Sequence, residues 1–139
     1  MNDRRDFLLA TIAGVASSLI ATRDAAAAPS AKLVVQRDAP AINLDGWQMT
    51  ASEVSYPPGE SSGKHRHPGF VIGYVLEGQY RFAVNDKPPV VLSAGQMFFE
   101  SVDAPGEVHA VSGNASTSAA TRILAVVFTK KGDPVTIPG

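Results

Sequence analysis

From Lys32 onward, apolar and polar residues follow one another in short runs, and glycine or proline stands at most of the joints. Residues 32–37 (KLVVQR) and 47–56 (WQMTASEVSY) are β-rich and partly alternating, which predicts a strand in each. The stretch FVIGYVLEGQYRFAVND predicts two strands around Glu77 and Gly78, and NDKPP ends the second with strong turn chemistry. VVLSA stops at Gly95, QMFFESV stops at DAPG, EVHAVSG runs into the polar loop NASTSAAT, and RILAVVFTK closes the set. After the N-terminal segment no stretch keeps a helical period over ten residues. Eight or more short strands at near-even spacing predict one all-β domain, a sandwich or barrel.

The N-terminal segment follows a different plan. Arg4 and Arg5 precede an uncharged, mostly apolar run from Phe7 to Thr22, and an alanine-rich tract follows. Basic, apolar and small-residue parts in that order are the plan of an export signal, with an uncleaved amphipathic anchor as the alternative, and the apolar run is short for a membrane-spanning helix. RRDFLL looks like a twin-arginine signal. Ala25 and Ala27 supply small residues for cleavage after Ala27, whereas a cut after Ala28 would leave Pro29 next to the scissile bond. The expectation is therefore a signal at 1–27, a domain at 28–139, and an exported, periplasmic protein not stably anchored in a membrane.

Charge narrows the partners. Twelve Lys and Arg against 13 Asp and Glu, in 139 residues, give no electrostatic reason to expect nucleic acid. With no cysteine, disulfides and thiolate ligands are excluded, so a metal site must use nitrogen and oxygen. The expected partner is a small-molecule ligand or substrate, with pairing into a homodimer left open.

All three histidines stand in two places: His65 and His67 in GKHRHPG, and His109 in PGEVH. In an extended strand residues i and i+2 face the same way, so His65 and His67 aim their rings together and Arg66 points opposite. If His109 comes from a neighbouring strand, the three converge on one cavity. Three neutral nitrogen donors bind Fe, Mn, Co, Ni, Cu or Zn with positions left open for water or substrate, and the ligand set does not choose among them.

Residues 59–114 resemble a cupin. Its first motif, G-x5-H-x-H-x3–4-E-x6-G, is matched by Gly59, His65, His67 and Gly78, with Val71 in the glutamate slot. Its second, G-x5-P-x-G-x2-H-x3-N, is matched by Gly95, Gly106 and His109. There the proline is adjacent to the glycine, the gap from Gly95 is about three residues longer, and Asn114 comes one residue late. The resemblance implies a double-stranded β-helix, or jelly-roll barrel, with His65, His67 and His109 as ligands of a divalent transition metal.

Neither Val71 nor Ile72, the other slot the variable spacing allows, can ligate. An ion held by neutral imidazoles alone keeps its full positive charge and attracts enolates, carboxylates or catecholates. This is similar to the three-histidine cupin dioxygenases, and it implies an oxygen-dependent enzyme on a small anionic chelating substrate. The alternative is a non-catalytic cupin that binds metal or a small molecule as sensor, carrier or scavenger. Alternation places Gly73 and Val75 on the inward face with Val71, and Gly73 reads as close approach or as simple tolerance. Among the acids, Glu60 is read as a solvated loop residue that could stand in as ligand, and Glu77 as solvent-facing. Glu100, ending MFFE, is read either as a partner holding a histidine ring or as a surface carboxylate. Phe70, Tyr74, Tyr80, Phe82, Phe98 and Phe99 read as core or dimer packing. The NAS sequence at 114–116 matches a glycosylation pattern, discounted because a twin-arginine signal points to bacterial export.

Overall fold

The computed structural model describes residues 28–102 and 107–139. The expected signal at 1–27 and the Pro-Gly turn of the second histidine motif lie outside the described residues. Lys32–Gly139 forms one compact unit. It contains β1 (Trp47–Tyr56), β2 (Ser61–Ser62), β3 (His65–Arg66), β4 (Gly69–Glu77), β5 (Gln79–Val84), β6 (Val90–Ser93), β7 (Met97–Glu100), β8 (Val108–Asn114), β9 (Thr121–Lys130) and β10 (Ile137–Pro138). No helix is present among the described residues.

The strands form two sheets with antiparallel ladders throughout. One runs β1-β9-β4-β7; the other runs β10-β3-β8-β5-β6, with β2 also on β8. From β3 onward the chain repeatedly crosses between them, which is the jelly-roll plan. The crossing from β4 to β5 turns at Gly78, whose φ of 77° is left-handed. A Cβ there would run into Ala120 O and Thr121 Oγ1, so only glycine makes this corner.

Alternation sets the inward faces. Val71, Gly73 and Val75 of β4 are buried, and their partners in the core include Tyr56, Tyr80, Phe82, Val84, Phe98, Ile123 and Val127. Gly73 marks a close approach by a ring: a Cβ at that position would collide with Phe98. The aromatics divide between two places. Tyr80, Phe82 and Phe98 pack inside, while Phe70 stacks on Phe128 outside β4, with ring centroids 4.5 Å apart and planes 5° from parallel.

The strand expected at 32–37 does not form. Those residues join no ladder, and Leu33, Val34 and Val35 are exposed. Local β propensity is not sufficient without a partner edge to accept its hydrogen bonds. The segment is held instead by side-chain contacts such as Arg37, whose guanidinium lies 4.2 Å over the Phe99 ring.

Candidate metal centre

Proline sets up the first pair of histidines. His67 precedes Pro68, which keeps it out of the helical region and extends the chain. His65 and His67 therefore present their rings to the same space, with centroids 5.0 Å apart. His65 is the direct partner of His109 in the β3–β8 ladder, and their ring centroids are 4.8 Å apart. One nitrogen from each of the three residues falls within 4.8 Å of the others. Three ligands at about 2.1 Å from one ion stand about 3.0–3.4 Å apart, so the rings would draw closer together to share one.

Each ring is braced through its other nitrogen. Nδ1–H of His65 donates to Gly63 O at 2.9 Å, and Nδ1–H of His67 donates to Val135 O at 2.6 Å. Both Nε2 lone pairs are left for a ligand. His109 is reversed: its Nε2 lies 3.1 Å from Tyr80 Oη. Tyr80 Oη lies 2.7 Å from Ser112 Oγ, which is 2.7 Å from Tyr56 Oη. If Nε2–H donates to Tyr80, each hydroxyl can donate to the next, and Nδ1 of His109 keeps its lone pair. Burial pushes the Tyr80 phenol far above its ordinary value, so it stays a neutral donor. Burial also lowers the pKa of His65, opposed by the Gly63 hydrogen bond and reinforced by His109 and His67, which favours the neutral ring that metals require.

Glu100 is not on the surface. It is 4 % exposed, and it faces inward because it follows Phe98 by two residues on β7. Its Oε1 approaches Nδ1 of His109 at 2.8 Å, and its Oε2 lies 3.5 Å from Nε2 of His67. Neither contact is aligned as a hydrogen bond: both carboxylate oxygens and Nδ1 of His109 are buried without a hydrogen-bond partner. The same alternation along MFFE would have revealed this, since inward Phe98 implies inward Glu100. The Tyr80–Ser112–Tyr56 chain had no such signal, because it joins three strands. Glu60 and Glu77 are exposed, and neither belongs to the site.

Asn114, the motif asparagine, has a structural task. Its Nδ2 donates to Tyr56 O, Pro57 O and Ala119 O, and its Oδ1 accepts from Ser116 N and Thr121 Oγ1. At 8 % exposure and with both ends engaged, its amide is closed to a glycan in the folded chain.

The histidines and Glu100 border a cavity of about 310 Å³, whose wall also includes Val54, Val71, Phe98, Ile123 and Ala125. A cation fits this arrangement. Three imidazoles offer lone pairs beside a buried carboxylate that has no hydrogen-bonding partner of its own, and a buried anion needs a counter-charge.

Residues 52–127 match the cupin domain, more than half of the chain, and the chain belongs to the cupin family. A predicted oxalate decarboxylase from Thermotoga maritima is similar at 32% identity over 62% of this chain and 69% of that one, with a TM-score of 0.50. The DMSP lyase DddQ from Ruegeria pomeroyi is similar at 21% identity, with a TM-score of 0.54 over 65% of this chain. This chain spans only 42% of the lyase's length. An oxalate oxidase aligns at 21% identity over 69% of this chain and 47% of its own, with a TM-score of 0.53. The last two show a shared fold. Comparison with curated proteins finds no match.

Proposed function

We propose that this protein is an exported, metal-dependent cupin that acts with molecular oxygen on a small anionic chelating molecule. One observation carries the reading: Glu100 is buried without a hydrogen-bond partner beside three imidazoles whose free nitrogens face the same space. His65, His67 and His109 hold a divalent transition ion. When bound, the ion supplies Lewis acidity and open positions where an anionic substrate and oxygen can meet. The cavity, about 310 Å³, lies at the small end of the roughly 300–1,000 Å³ common for ligand sites. Val54, Val71, Phe98, Ile123 and Ala125 make an apolar wall and leave the polar ligands to orient the substrate.

Tyr80 holds His109 through Nε2, and Ser112 and Tyr56 continue that chain of hydrogen-bonding groups. The ring is thereby held in one orientation. The likeness to the predicted oxalate decarboxylase adds weight to a small carboxylate as substrate. The arginine pair and apolar run at the N-terminus support export.

A second reading is favoured by the make-up of the wall. Apart from the three histidines and Glu100, its only titratable groups among the described residues are the phenols of Tyr56 and Tyr80. A site so poor in spare acids and bases suits a carrier or sensor as well. Elemental analysis of native protein, followed by oxygen-electrode assays with oxalate, other small carboxylates, diketones and catechols, separates the readings. Stoichiometric metal with substrate-dependent oxygen uptake supports the enzyme. Metal without uptake favours the carrier, and protein free of metal removes the enzyme and any metal carrier, leaving only a binder of small molecules.

A further inference from the structure

We infer that Glu100 is itself a ligand of the metal, replacing the family's motif glutamate from a different strand. The inference rests on the metal reading above and adds the identity of the fourth ligand. The motif position is Val71 on β4. In the β4–β7 ladder the residue directly opposite Val71 is Glu100. Directly paired residues of antiparallel strands project to the same face with Cβ atoms about 4.5–5.5 Å apart. The acid has therefore moved one strand sideways along the same sheet and still points into the same cavity. Val71 and Glu100 both border it.

The contacts favour a ligand over a brace. A carboxylate that merely orients a histidine accepts an aligned N–H from the nitrogen turned away from the metal. One nitrogen of each ring is already engaged: Nδ1 of His65 by Gly63 O, Nδ1 of His67 by Val135 O and Nε2 of His109 by Tyr80 Oη. Glu100 instead lies against the free nitrogens: Nδ1 of His109 at 2.8 Å and Nε2 of His67 at 3.5 Å. If Nε2–H of His109 goes to Tyr80, Glu100 and the rings of His67 and His109 face one another with lone pairs, an arrangement that a shared cation stabilises. Carboxylate oxygen and imidazole nitrogen are compatible partners on one first-row ion. With Glu100 bound, a divalent ion keeps one formal positive charge, so a monoanionic chelator neutralises the site. The fully charged, acid-free centre expected from Val71 is replaced by this one.

The test titrates the full chain with Mn(II) and Co(II) against a competing chelator. It compares wild type, Glu100→Gln, and a double variant, Val71→Glu with Glu100→Val, which returns the acid to the motif position. The cobalt absorption spectrum reports the ligand set, and thermal melts confirm folding. Glu100→Gln is expected to lose more than about 100-fold in affinity, beyond the roughly 10–100-fold that removing an outer partner costs. Its cobalt spectrum should change, and the double variant should recover to within about tenfold of wild type.

A Glu100→Gln protein with unchanged cobalt spectrum and a smaller loss overturns the ligand assignment and leaves the metal reading standing. Wild type that binds neither ion overturns both. Should the double variant fail to fold, Glu100→Asp serves instead: its shorter carboxylate should shift the cobalt spectrum if the residue ligates. An unshifted spectrum would count against the assignment.

Discussion

Asn114 and Glu100 are both buried polar side chains, at 8 % and 4 % exposure, yet their surroundings are opposite. Asn114 gives and receives hydrogen bonds at both ends of its amide and ties the β1 end and the 115–121 loop to β8. The Glu100 carboxylate has no aligned hydrogen bond, only close approaches to His109 and His67. Burial alone therefore does not mark a functional site. Asn114 meets its demand from the chain itself, so it serves the fold; Glu100 leaves its demand open, so it is available to something the chain does not contain. The two sheets differ in the same way. The sheet of β3 and β8, with His67 just past β3, supplies three imidazoles braced from behind, and the sheet of β4 and β7 supplies an unbraced carboxylate among apolar neighbours.

The largest stability effect should come from the saturated centre. Asn114→Ala leaves several buried donors and acceptors unpaired and should destabilise the fold by about 3–5 kcal/mol in urea titrations. A cost below about 1 kcal/mol would erase the contrast with Glu100. Glu100→Leu should act in the other direction on metal-free protein, raising stability by about 1–4 kcal/mol because an unpaired buried charge gives way to an apolar side chain. The same variant should lose the stabilisation that wild type gains from added metal, about 2.7 kcal/mol at 100 times the dissociation constant. A metal-free Glu100→Leu protein that melts below wild type would show that the carboxylate is already compensated.

Tyr80→Phe probes the brace. It strips His109 Nε2 of its hydrogen-bond partner and should cost about 1–2 kcal/mol, with a roughly 10–100-fold loss in metal affinity. Equal affinity in chelator competition would mean that the ring is held by packing alone. The smallest effect concerns pH. Burial holds the His65 pKa below its ordinary value of 6.5, so the unfolded chain takes up a proton that the folded chain resists. Stability of metal-free protein should then fall as pH drops from 6.5 towards the lowered folded value, and it should be insensitive to this group above 6.5. His65→Gln should flatten that part of the profile, and an unchanged slope in denaturant titrations at stepped pH would assign it to other groups.

Much of the fold was legible in the chain. Alternation and turn residues marked β1, β4, β5, β6, β7, β8 and β9, because a period of two and a glycine or proline joint are local properties. The same residues drew 32–37 as a strand, which failed because a strand needs an edge to pair with and propensity carries no information about partners. His65 and His67 could be placed on one face from spacing alone, and the motif around His109 pointed to the same cavity.

What the linear order could not decide is who stands beside whom. Val71 and Glu100 are neighbours only because β4 lies against β7, and His65 meets His109 only because β3 lies against β8. Which nitrogen of His109 is free depends on Tyr80, brought in by β5. The face a residue occupies follows from the pleat of its own strand. The groups it meets there follow from ladders between distant segments, set by packing of the whole interior, and on that level Val71 and Glu100 come to border one cavity.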